Sequence, residues 1–328
     1  MYLTRGRMRP ALLFVASVAI AAGATAAHGA TRPTTQNATT TATTTSKLVT
    51  SPRPFQPSGY WNTPLGAAPI NSHSDAWIRD AQNSRHTQNY LKLTLGDWGM
   101  PVFRSDSSDP LFKITVSGHT VKVHIPAKAR PMPTSDAALV VIDRSTNQVV
   151  SLQGARYSSG HWSASGLSRY GYQTNGIARG LPGGSRSNFG HRGIPGSVRA
   201  VTKGEIKRGN IRHRLEIYWW ETASRTPGGK SAYFPMTGGE SGKTGVVPEG
   251  AVIRIKRTVN LGAIHMSPAA RTIAQALQRY GAVVGDNSGS GNTLKLEGGV
   301  NWSGILNKDS LKNIPWKDWV FVKGGYRP

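Results

Sequence analysis

The chain has no cysteine in its 328 residues. A disulfide-bonded scaffold is therefore excluded, and so is catalysis by a cysteine nucleophile. A chain of this length can bury a sizeable core without covalent cross-links. Core packing, helped by any bound ligand, is expected to hold the fold together.

Acidic residues are also few: 16 aspartates and glutamates stand against 40 lysines and arginines, which gives a formal net charge of +24. A surface with this charge attracts polyanions. The basic residues are spread along the chain and form no long run, so neither a nucleic-acid-binding tail nor specific nucleic-acid recognition is expected. The predicted partner is a polysaccharide or an anionic wall polymer. Adaptation of the host to an extreme pH is the alternative explanation of the charge.

Metal-binding and cofactor-binding patterns are missing as well. The 9 histidines are scattered, with no HExxH, His-x-His or EF-hand pattern, so neither a metal nor a cofactor is predicted. The run Ser288–Gly291 follows one predicted strand and leads into another. A serine nucleophile elbow needs a helix at that point, so this class of hydrolase is not indicated.

The N-terminus carries a targeting pattern. Arg5, Arg7 and Arg9 precede an apolar run over residues 11–27, which ends in small residues. This order is typical of a secretory signal peptide, predicted here for residues 1–30. An uncleaved membrane anchor is the alternative, because the run approaches the length that spans a bilayer. After cleavage the protein is expected to be secreted, extracellular or associated with the cell wall, and without membrane contact.

Residues 31–50 are rich in threonine and nearly free of apolar side chains. A segment of this composition buries too little surface to offset the entropy of ordering, so it is predicted to be a disordered linker. Residues 51–328 are then predicted to form a single β-rich globular domain, and the protein is expected to be a monomer.

Alternation of apolar and polar residues predicts strands from end to end of this domain. The predicted strands cover residues 111–116, 120–126, 138–143, 147–153, 212–221, 251–259, 282–286 and 293–298. Many short strands separated by glycine, proline and serine turns favour a mainly β fold, a single β-sandwich or jelly-roll-like domain with a few short helices.

Two helices have clear sequence signals. Ser267 and Pro268 supply an N-cap and a proline at the first helical position, and Gly281 ends that helix. Thr202 and Glu205 have the spacing of a capping box, which predicts a second, shorter helix.

The glycine-rich stretch 174–196 is the longest connection of the domain and lies between predicted strands. Connections of this length are usually functional or disordered. Asn188, His191 and Arg192 give it hydrogen-bonding groups suited to a substrate. We therefore include this loop in the candidate site.

In the strand over 212–221, alternation places His213 on one face and Glu216, Tyr218 and Trp220 on the other. If the His213 face carries the core, the opposite face is an accessible platform for sugar rings. The alternative is that the tryptophans are simply core residues.

Two chemistries fit the remaining polar residues. Two facing carboxylates are typical of a glycosidase, whereas a His or Tyr base beside an arginine suits a β-eliminating lyase. The positive charge favours the lyase. Asp286 ends a predicted strand and Asn287 follows it, and they form either a plain turn or part of the site.

The candidate catalytic residues are Asp286, His213 and His191. The candidate substrate-binding residues are Asn188, Arg192, Trp220, Tyr218, Arg279 and Asn287. The leading hypothesis is a hydrolase or lyase acting on an extracellular, anionic polysaccharide. The alternatives are a non-catalytic wall-polymer or carbohydrate-binding module and a structural envelope protein.

Four motifs carry a family resemblance: WNTPL at 61–65, HIPAKARPMPTSDAALVVID at 124–143, GEIKRGNIRHRL at 204–215 and ALQRYGAVVGDNSGSG at 276–291. Through them the chain resembles a group of secreted, functionally uncharacterised actinobacterial-type proteins. In that group an aspartate recurs after the Arg-Tyr-Gly helix end, which implies a shaped loop at Asp286. The chain departs from the group at Arg214, where other members carry alanine. The resemblance implies a single fold and secretion.

Overall fold

We describe residues 53–289 and 291–328 of the protein from a computed structural model. The predicted signal peptide (1–30) and linker (31–50) lie outside these residues. Sixteen strands and only three α-helices are present in the described part. The prediction of a mainly β domain with a few short helices is confirmed.

The strands, in chain order, are β1 (Lys92–Thr94), β2 (Val102–Ser105), β3 (Leu111–Val116), β4 (His119–His124), β5 (Leu139–Asp143), β6 (Gln148–Gln153), β7 (Arg156–Ser158), β8 (His161–Ser163), β9 (Gly166–Gly171), β10 (Leu215–Trp219), β11 (Thr222–Ala223), β12 (Val247–Pro248), β13 (Val252–Ile255), β14 (Ala282–Asn287), β15 (Thr293–Lys295) and β16 (Trp319–Phe321). The α-helices are α1 (Ser74–Asn83), α2 (Lys203–Lys207) and α3 (Pro268–Arg279), and short 3-10 turns cover Gly96–Trp98, His191–Gly193, Gly196–Val198 and Trp316–Asp318.

Two sheets dominate the fold. The larger has the strand order β1-β15-β10-β14-β13-β16, and the smaller has the order β2-β5-β6-β9. Within these two sheets three of the strand pairs are parallel, namely β1 with β15, β10 with β14, and β2 with β5. These parallel pairs are not predictable from the sequence pattern, because alternation along a strand carries no information about the direction of its neighbour.

The sheets and helices form layers separated by three apolar cores. One core lies between the larger sheet and helices α1 and α3, and includes Ile217 and Ile273. A second core lies between the two sheets and joins Val283 to Val149. The third lies on the outer face of the smaller sheet, under the β3–β4 hairpin. Both faces of the larger sheet are therefore covered, and polar groups on it need partners.

The predicted helix signals are confirmed. The Ser267 side chain accepts a hydrogen bond from the backbone N–H of Ala270, and α3 begins with Pro268. Thr202 and Glu205 form both hydrogen bonds of a capping box at the start of α2. Gly281, just beyond α3, has a φ of 71°, and a Cβ there would lie 2.7 Å from Leu65, so glycine is required.

Arg214 is fully buried and ties the start of the domain to the end of α3. Its guanidinium donates hydrogen bonds to the carbonyl oxygens of Tyr60 and Tyr280 and lies 3.9 Å from the centre of the Tyr60 ring.

Among the helices of the described residues, none has the length and apolar character needed to cross a bilayer.

Candidate functional site

A β-bulge in β14 brings Asp286 to the site. Ile217 of β10 pairs with Val284, but the next residue, Tyr218, pairs with Asp286, so Gly285 is an extra residue in the ladder. Val284 packs into the core beneath α3, and simple alternation would turn Asp286 the same way. The bulge instead turns Asp286 to the side of Tyr218, as bulges beside functional sites commonly do.

Asp286 lies among three cationic or titratable side chains and remains 22% exposed. Its Oδ1 accepts hydrogen bonds from Arg192 Nη2 at 2.8 Å and from the backbone N–H of Asn287 at 3.0 Å. Its Oδ2 lies 3.6 Å from Arg199 Nη2 and 3.7 Å from His191 Nε2. The carboxylate is thus fixed in place and still reaches solvent.

The turn that supplies His191 and Arg192 has an unusual backbone. Both residues have positive φ values, 36° and 49°, between two glycines that also have positive φ. Non-glycine residues in this region are strained, by about 1–3 kcal/mol each, and such strain is concentrated at functional sites. The Arg192 carbonyl accepts a 2.7 Å hydrogen bond from the backbone N–H of Thr237, which helps to hold the turn.

Glu216 lies on the inner side of Asp286 and is completely buried. Its Oε2 accepts hydrogen bonds from Arg199 Nε and from the Tyr218 hydroxyl, each at 2.8 Å. Burial alone would raise the pKa of Glu216, but the Arg199 guanidinium, helped by His191, lowers it to about 2. Gly285 leaves room for this carboxylate, because a Cβ at Gly285 would lie 2.2 Å from Glu216 Oε1.

Glu249 and Glu240 lie on the other side of Asp286. Arg192 Nη1 donates to both carboxylate oxygens of the buried Glu249, at 2.8 and 2.9 Å, and Arg192 Nη2 lies 3.4 Å from Glu240. Burial raises the pKa of Glu249 to about 7, although Arg192 opposes the shift. Glu240 is 34% exposed and accepts a 2.8 Å hydrogen bond from the Asn287 side chain.

The carboxylates of Glu240, Glu249 and Asp286 have the spacing of a cation site. Oxygen atoms from the three side chains lie within 4.8 Å of one another. Arg192 contacts all three carboxylates. Its guanidinium therefore supplies the positive charge that such a group of carboxylates requires.

The remaining titratable groups have pKa values set mainly by burial. Burial, together with Arg199, lowers the pKa of His191, so its imidazole is neutral at pH 7. His191 Nε2 has no hydrogen-bond partner among the described residues. Burial raises the pKa of Tyr218 well above its ordinary value. Lys295, whose Nζ lies 4.4 Å from the centre of the Tyr218 ring, has its pKa lowered by burial and by Arg199.

We call this group of residues the Asp286 cluster. Its members are His191, Arg192, Arg199, Glu216, Tyr218, Glu240, Glu249, Asp286 and Asn287. Five predicted site residues are therefore brought together: His191, Arg192, Tyr218, Asp286 and Asn287.

His213 is not brought to this cluster. Its Nε2 lies 2.7 Å from Glu205 Oε1, and its Nδ1 lies 2.8 Å from the carbonyl oxygen of Arg214. An extended chain covers about 16 Å between positions 213 and 218, and Tyr218 is the residue that pairs with Asp286. The predicted grouping of His213 with Asp286 is therefore corrected: His213 pairs with Glu205 at the other end of the strand.

Asn188 is completely buried and holds the 174–196 loop together. Its amide donates to the carbonyl oxygen of Ile177 at 2.8 Å, and its side-chain oxygen accepts from the backbone N–H of Gly171 at 2.8 Å. The substrate-binding role predicted for Asn188 is replaced by a structural one, because both ends of its amide are already used.

The sugar platform predicted on β10 does not form. Leu215, Ile217 and Trp219 face the core, but Glu216 and Tyr218 on the opposite face are buried as well. The reason is the second sheet, which covers this face. Trp220 stacks on His86, with 4.5 Å between ring centres, and lines a separate surface cavity of about 780 Å³.

Arg279 also lies away from the cluster. It ends α3, is exposed, and packs against the ring of Tyr280. The start of β14 follows Tyr280, whereas Asp286 lies at the far end of the same strand. Arg279 and Asp286 are thus at opposite ends of β14.

Three members of the Asp286 cluster, Arg199, Glu240 and Glu249, were not among the predicted site residues. Nothing in their local sequence distinguishes them, since each joins the cluster only through tertiary packing. One signal was present: Gly285 interrupts an otherwise apolar strand, and an isolated glycine in a strand suggests a bulge or a close approach.

No protein-family model matches this chain, and no curated protein or solved structure shows significant similarity to it. The resemblance to the secreted actinobacterial group stays a prediction.

Proposed function

We propose that the protein is a secreted enzyme that hydrolyses an extracellular polysaccharide at the Asp286 cluster. The observation that carries the proposal is the pair formed by Asp286 and Glu240. Both carboxylates reach solvent, at 22% and 34% exposure, and their nearest oxygens lie within 4.8 Å. Two closely spaced carboxylates are the group that glycoside hydrolysis requires.

The spacing favours hydrolysis with retention of configuration. Retaining glycosidases hold their carboxyl groups about 5–5.5 Å apart, whereas inverting enzymes need about 6.5–9.5 Å to admit a water molecule. In this proposal Asp286 is the nucleophile, because Arg192 and the Asn287 N–H hold its carboxylate in one orientation. Glu240 is the general acid and base.

The pKa values of the neighbouring glutamates support acid–base chemistry. Glu216 has a pKa of about 2 and is therefore ionised, whereas Glu249, with a pKa of about 7, is only partly ionised near neutral pH. Carboxylic acids whose pKa values are driven apart by their environments are typical of acid–base sites. The backbone N–H of Glu240 donates to Glu249 Oε1 at 3.1 Å, so the proton-bearing group adjoins the proposed acid.

A polysaccharide lyase is the second candidate, and one observation favours it. His191 is neutral and its Nε2 makes no hydrogen bond among the described residues, so in a lyase it would be the candidate base. A lyase must also neutralise the uronate carboxylate beside the departing proton. Arg192 and Arg199 already pair with carboxylates of the cluster, so a uronate would have to displace one of these pairs. We therefore rank hydrolysis first.

The test is to incubate the purified protein with a panel of neutral and acidic polysaccharides and to analyse the products. Hydrolysis releases reducing ends without ultraviolet absorbance, whereas elimination also produces the absorbance of unsaturated uronates. We expect reducing ends alone, and an initial product with the anomeric configuration of the substrate. Unsaturated products would replace hydrolysis by elimination. Binding without any product would overturn the enzyme proposal in favour of a non-catalytic wall-polymer or carbohydrate-binding module.

A further inference from the structure

A second cavity, distinct from the Asp286 cluster, has a volume of about 890 Å³. This volume falls in the range of about 300–1,000 Å³ found for small-molecule sites. Its walls come from the 3-10 turn Gly96–Trp98, the start of β2, the segment 128–133, the N-terminal end of α2 and the segment 297–300. We call it the basic cavity because four cationic side chains line it.

Those cationic side chains are Arg104, Lys128, Arg130 and Arg208, and all four are exposed. They come from separate parts of the chain, so it is the fold, and not a local run of charged residues, that brings them together. Arg130 is oriented by hydrogen bonds from its Nη1 to two backbone carbonyl oxygens, at 2.7 and 2.9 Å.

The lining is not uniformly basic. Asp97 and Glu297 add two carboxylates, and Phe103, Pro131 and Met132 add apolar surface. Burial raises the pKa of Glu297, and the Lys203 backbone N–H, which donates to Glu297 Oε2 at 2.7 Å, opposes that shift. The cavity therefore offers cations for an anion, carboxylates for hydroxyl donors, and apolar contacts for C–H groups.

Trp98 does not line the cavity, but it is the chain neighbour of the cavity-lining Asp97 in the Gly96–Trp98 turn. Its side chain is 54% exposed. A large exposed aromatic ring beside polar groups is suited to stacking against a sugar ring, because its apolar face covers C–H groups while its neighbours bind hydroxyls.

Two paired segments connect the basic cavity to the Asp286 cluster. The segment from Arg199 to Thr202 and the segment from Lys295 to Glu297 are hydrogen-bonded to each other through Val201. Arg199 contacts the cluster, and Thr202 lines the cavity. Three extended residues cover about 10 Å, so a short oligosaccharide is long enough to reach from one site to the other.

We propose that the basic cavity is a binding site for an acidic, carboxylate-bearing saccharide. Its uronate groups pair with Arg104, Arg130 and their two cationic neighbours, and its hydroxyl groups donate to Asp97 and Glu297. This inference does not depend on the reaction at Asp286. Duplex DNA fits this lining less well, because its phosphodiesters and deoxyribose units supply no hydroxyl donors to the two carboxylates and are repelled by them.

The experiment measures the affinity of the purified protein for an oligogalacturonide of defined length by calorimetry at low salt. The fully methyl-esterified form of the same oligosaccharide is the matched ligand, because it keeps the hydroxyls and loses the charge. We expect the acidic form to bind at least about tenfold more tightly, as loss of a charge-assisted contact implies. Arg104→Gln combined with Arg130→Gln is expected to reduce the affinity for the acidic form by at least about tenfold.

The control variant combines Lys308→Gln with Lys312→Gln, which removes the same charge from exposed positions outside the cavity. It is expected to bind the acidic form as the wild type does. If thermal melting shows that the variant with Arg104→Gln and Arg130→Gln is misfolded, Lys128→Gln combined with Arg208→Gln takes its place. Equal binding of the acidic and esterified forms, equal loss in both double variants, or tighter binding of poly(glycerol phosphate) or duplex DNA would overturn the proposal.

Discussion

His213 and Glu205 form a buried pair that is expected to stabilise the fold rather than to act in the Asp286 cluster. Burial opposes both charges, but Glu205 raises the pKa of His213 and His213 lowers the pKa of Glu205. The contribution of His213 is fully present below its unfolded pKa of 6.5 and is lost as pH rises through the folded pKa. The contribution of Glu205 to stability is fully present above its unfolded pKa of 4.5 and is lost as pH falls through its folded pKa.

We therefore predict that His213→Gln lowers the free energy of unfolding by about 1–3 kcal/mol, the penalty for a weakened buried charged hydrogen bond. The loss should be largest between pH 4.5 and 6.5, where both groups of the wild type are charged. Urea unfolding at several pH values measures it. A variant with wild-type stability and impaired turnover would instead return His213 to the candidate catalytic residues.

The contribution of Glu249 to stability is expected to depend on pH in the opposite sense to that of an ordinary salt-bridged carboxylate. Its folded pKa of about 7 lies above the ordinary value of 4.5. Its contribution to stability is therefore fully present below pH 4.5 and is lost as pH rises through about 7. Replacement by glutamine fixes the side chain in a neutral form and should remove this dependence.

Between pH 4.5 and pH 8 the wild type is predicted to lose about 3 kcal/mol of unfolding free energy that Glu249→Gln does not lose, as the size of the pKa shift implies. Unfolding free energies of both proteins at the two pH values test it. Parallel stability profiles for the two proteins would contradict the raised pKa.

At the scale of elements, the bulge in β14 determines the site geometry. Gly285 both adds the extra residue and leaves the space that Glu216 occupies. A methyl group at Gly285 would lie 2.2 Å from Glu216 Oε1, so the carboxylate or the strand must move. Overpacking of this kind is destabilising by about 1–3 kcal/mol.

Gly285→Ala is therefore expected to lower the melting temperature and to reduce activity together. Gly289→Ala is the matched control, because nothing lies within 4 Å of a Cβ at Gly289. It should leave both the melting temperature and the activity unchanged. Wild-type stability and activity in Gly285→Ala would mean that the close contact with Glu216 does not constrain the site.

The elements that the sequence predicted well are those specified by neighbouring residues. The capping box of α2 and the Ser267 cap of α3 depend on residues three positions apart, and strand alternation is equally local. The parallel pairing of β10 and β14 was not predictable in this way, because parallel strands are joined by long connections.

The same distinction applies to the site. The 174–196 loop and the Asp286 turn were identified separately from their composition, and the structure joins them through the Arg192–Asp286 contact, which spans 94 residues. The Arg192–Glu249 contact spans 57 residues. His213 was misplaced because alternation assigns a face of the strand but not a position along the sheet relative to Asp286.

At the scale of the whole molecule, the net charge of +24 predicts salt-sensitive binding to polyanions. Exposed charges are screened over about 10 Å at 0.1 M salt and about 3 Å at 1 M. Retention on an immobilised acidic polysaccharide should therefore fall steeply between these salt concentrations, while retention on a neutral polysaccharide should not. Retention on the acidic polymer that is indifferent to salt would contradict an electrostatic origin of binding.

Asp286 is proposed to act in the reaction and not merely to hold the bulged end of β14 in place. Asn keeps the size of Asp and an oxygen that can accept from Arg192 and from the Asn287 N–H, so the unfolding free energy of Asp286→Asn should stay within about 1 kcal/mol of the wild type. Asp309→Asn is the control, since Asp309 is a half-buried carboxylate outside the cluster that accepts a hydrogen bond from Tyr90.

The most direct measurement compares the rate of polysaccharide cleavage by these two variants, with melting curves recorded on the same preparations. The account predicts that Asp286→Asn folds normally and loses at least about a hundredfold in rate, the scale of a missing acid–base or nucleophilic group. Asp309→Asn should cleave at the wild-type rate. A folded Asp286→Asn variant that cleaves as fast as the wild type would contradict the account and leave Asp286 with only a structural role at the end of β14.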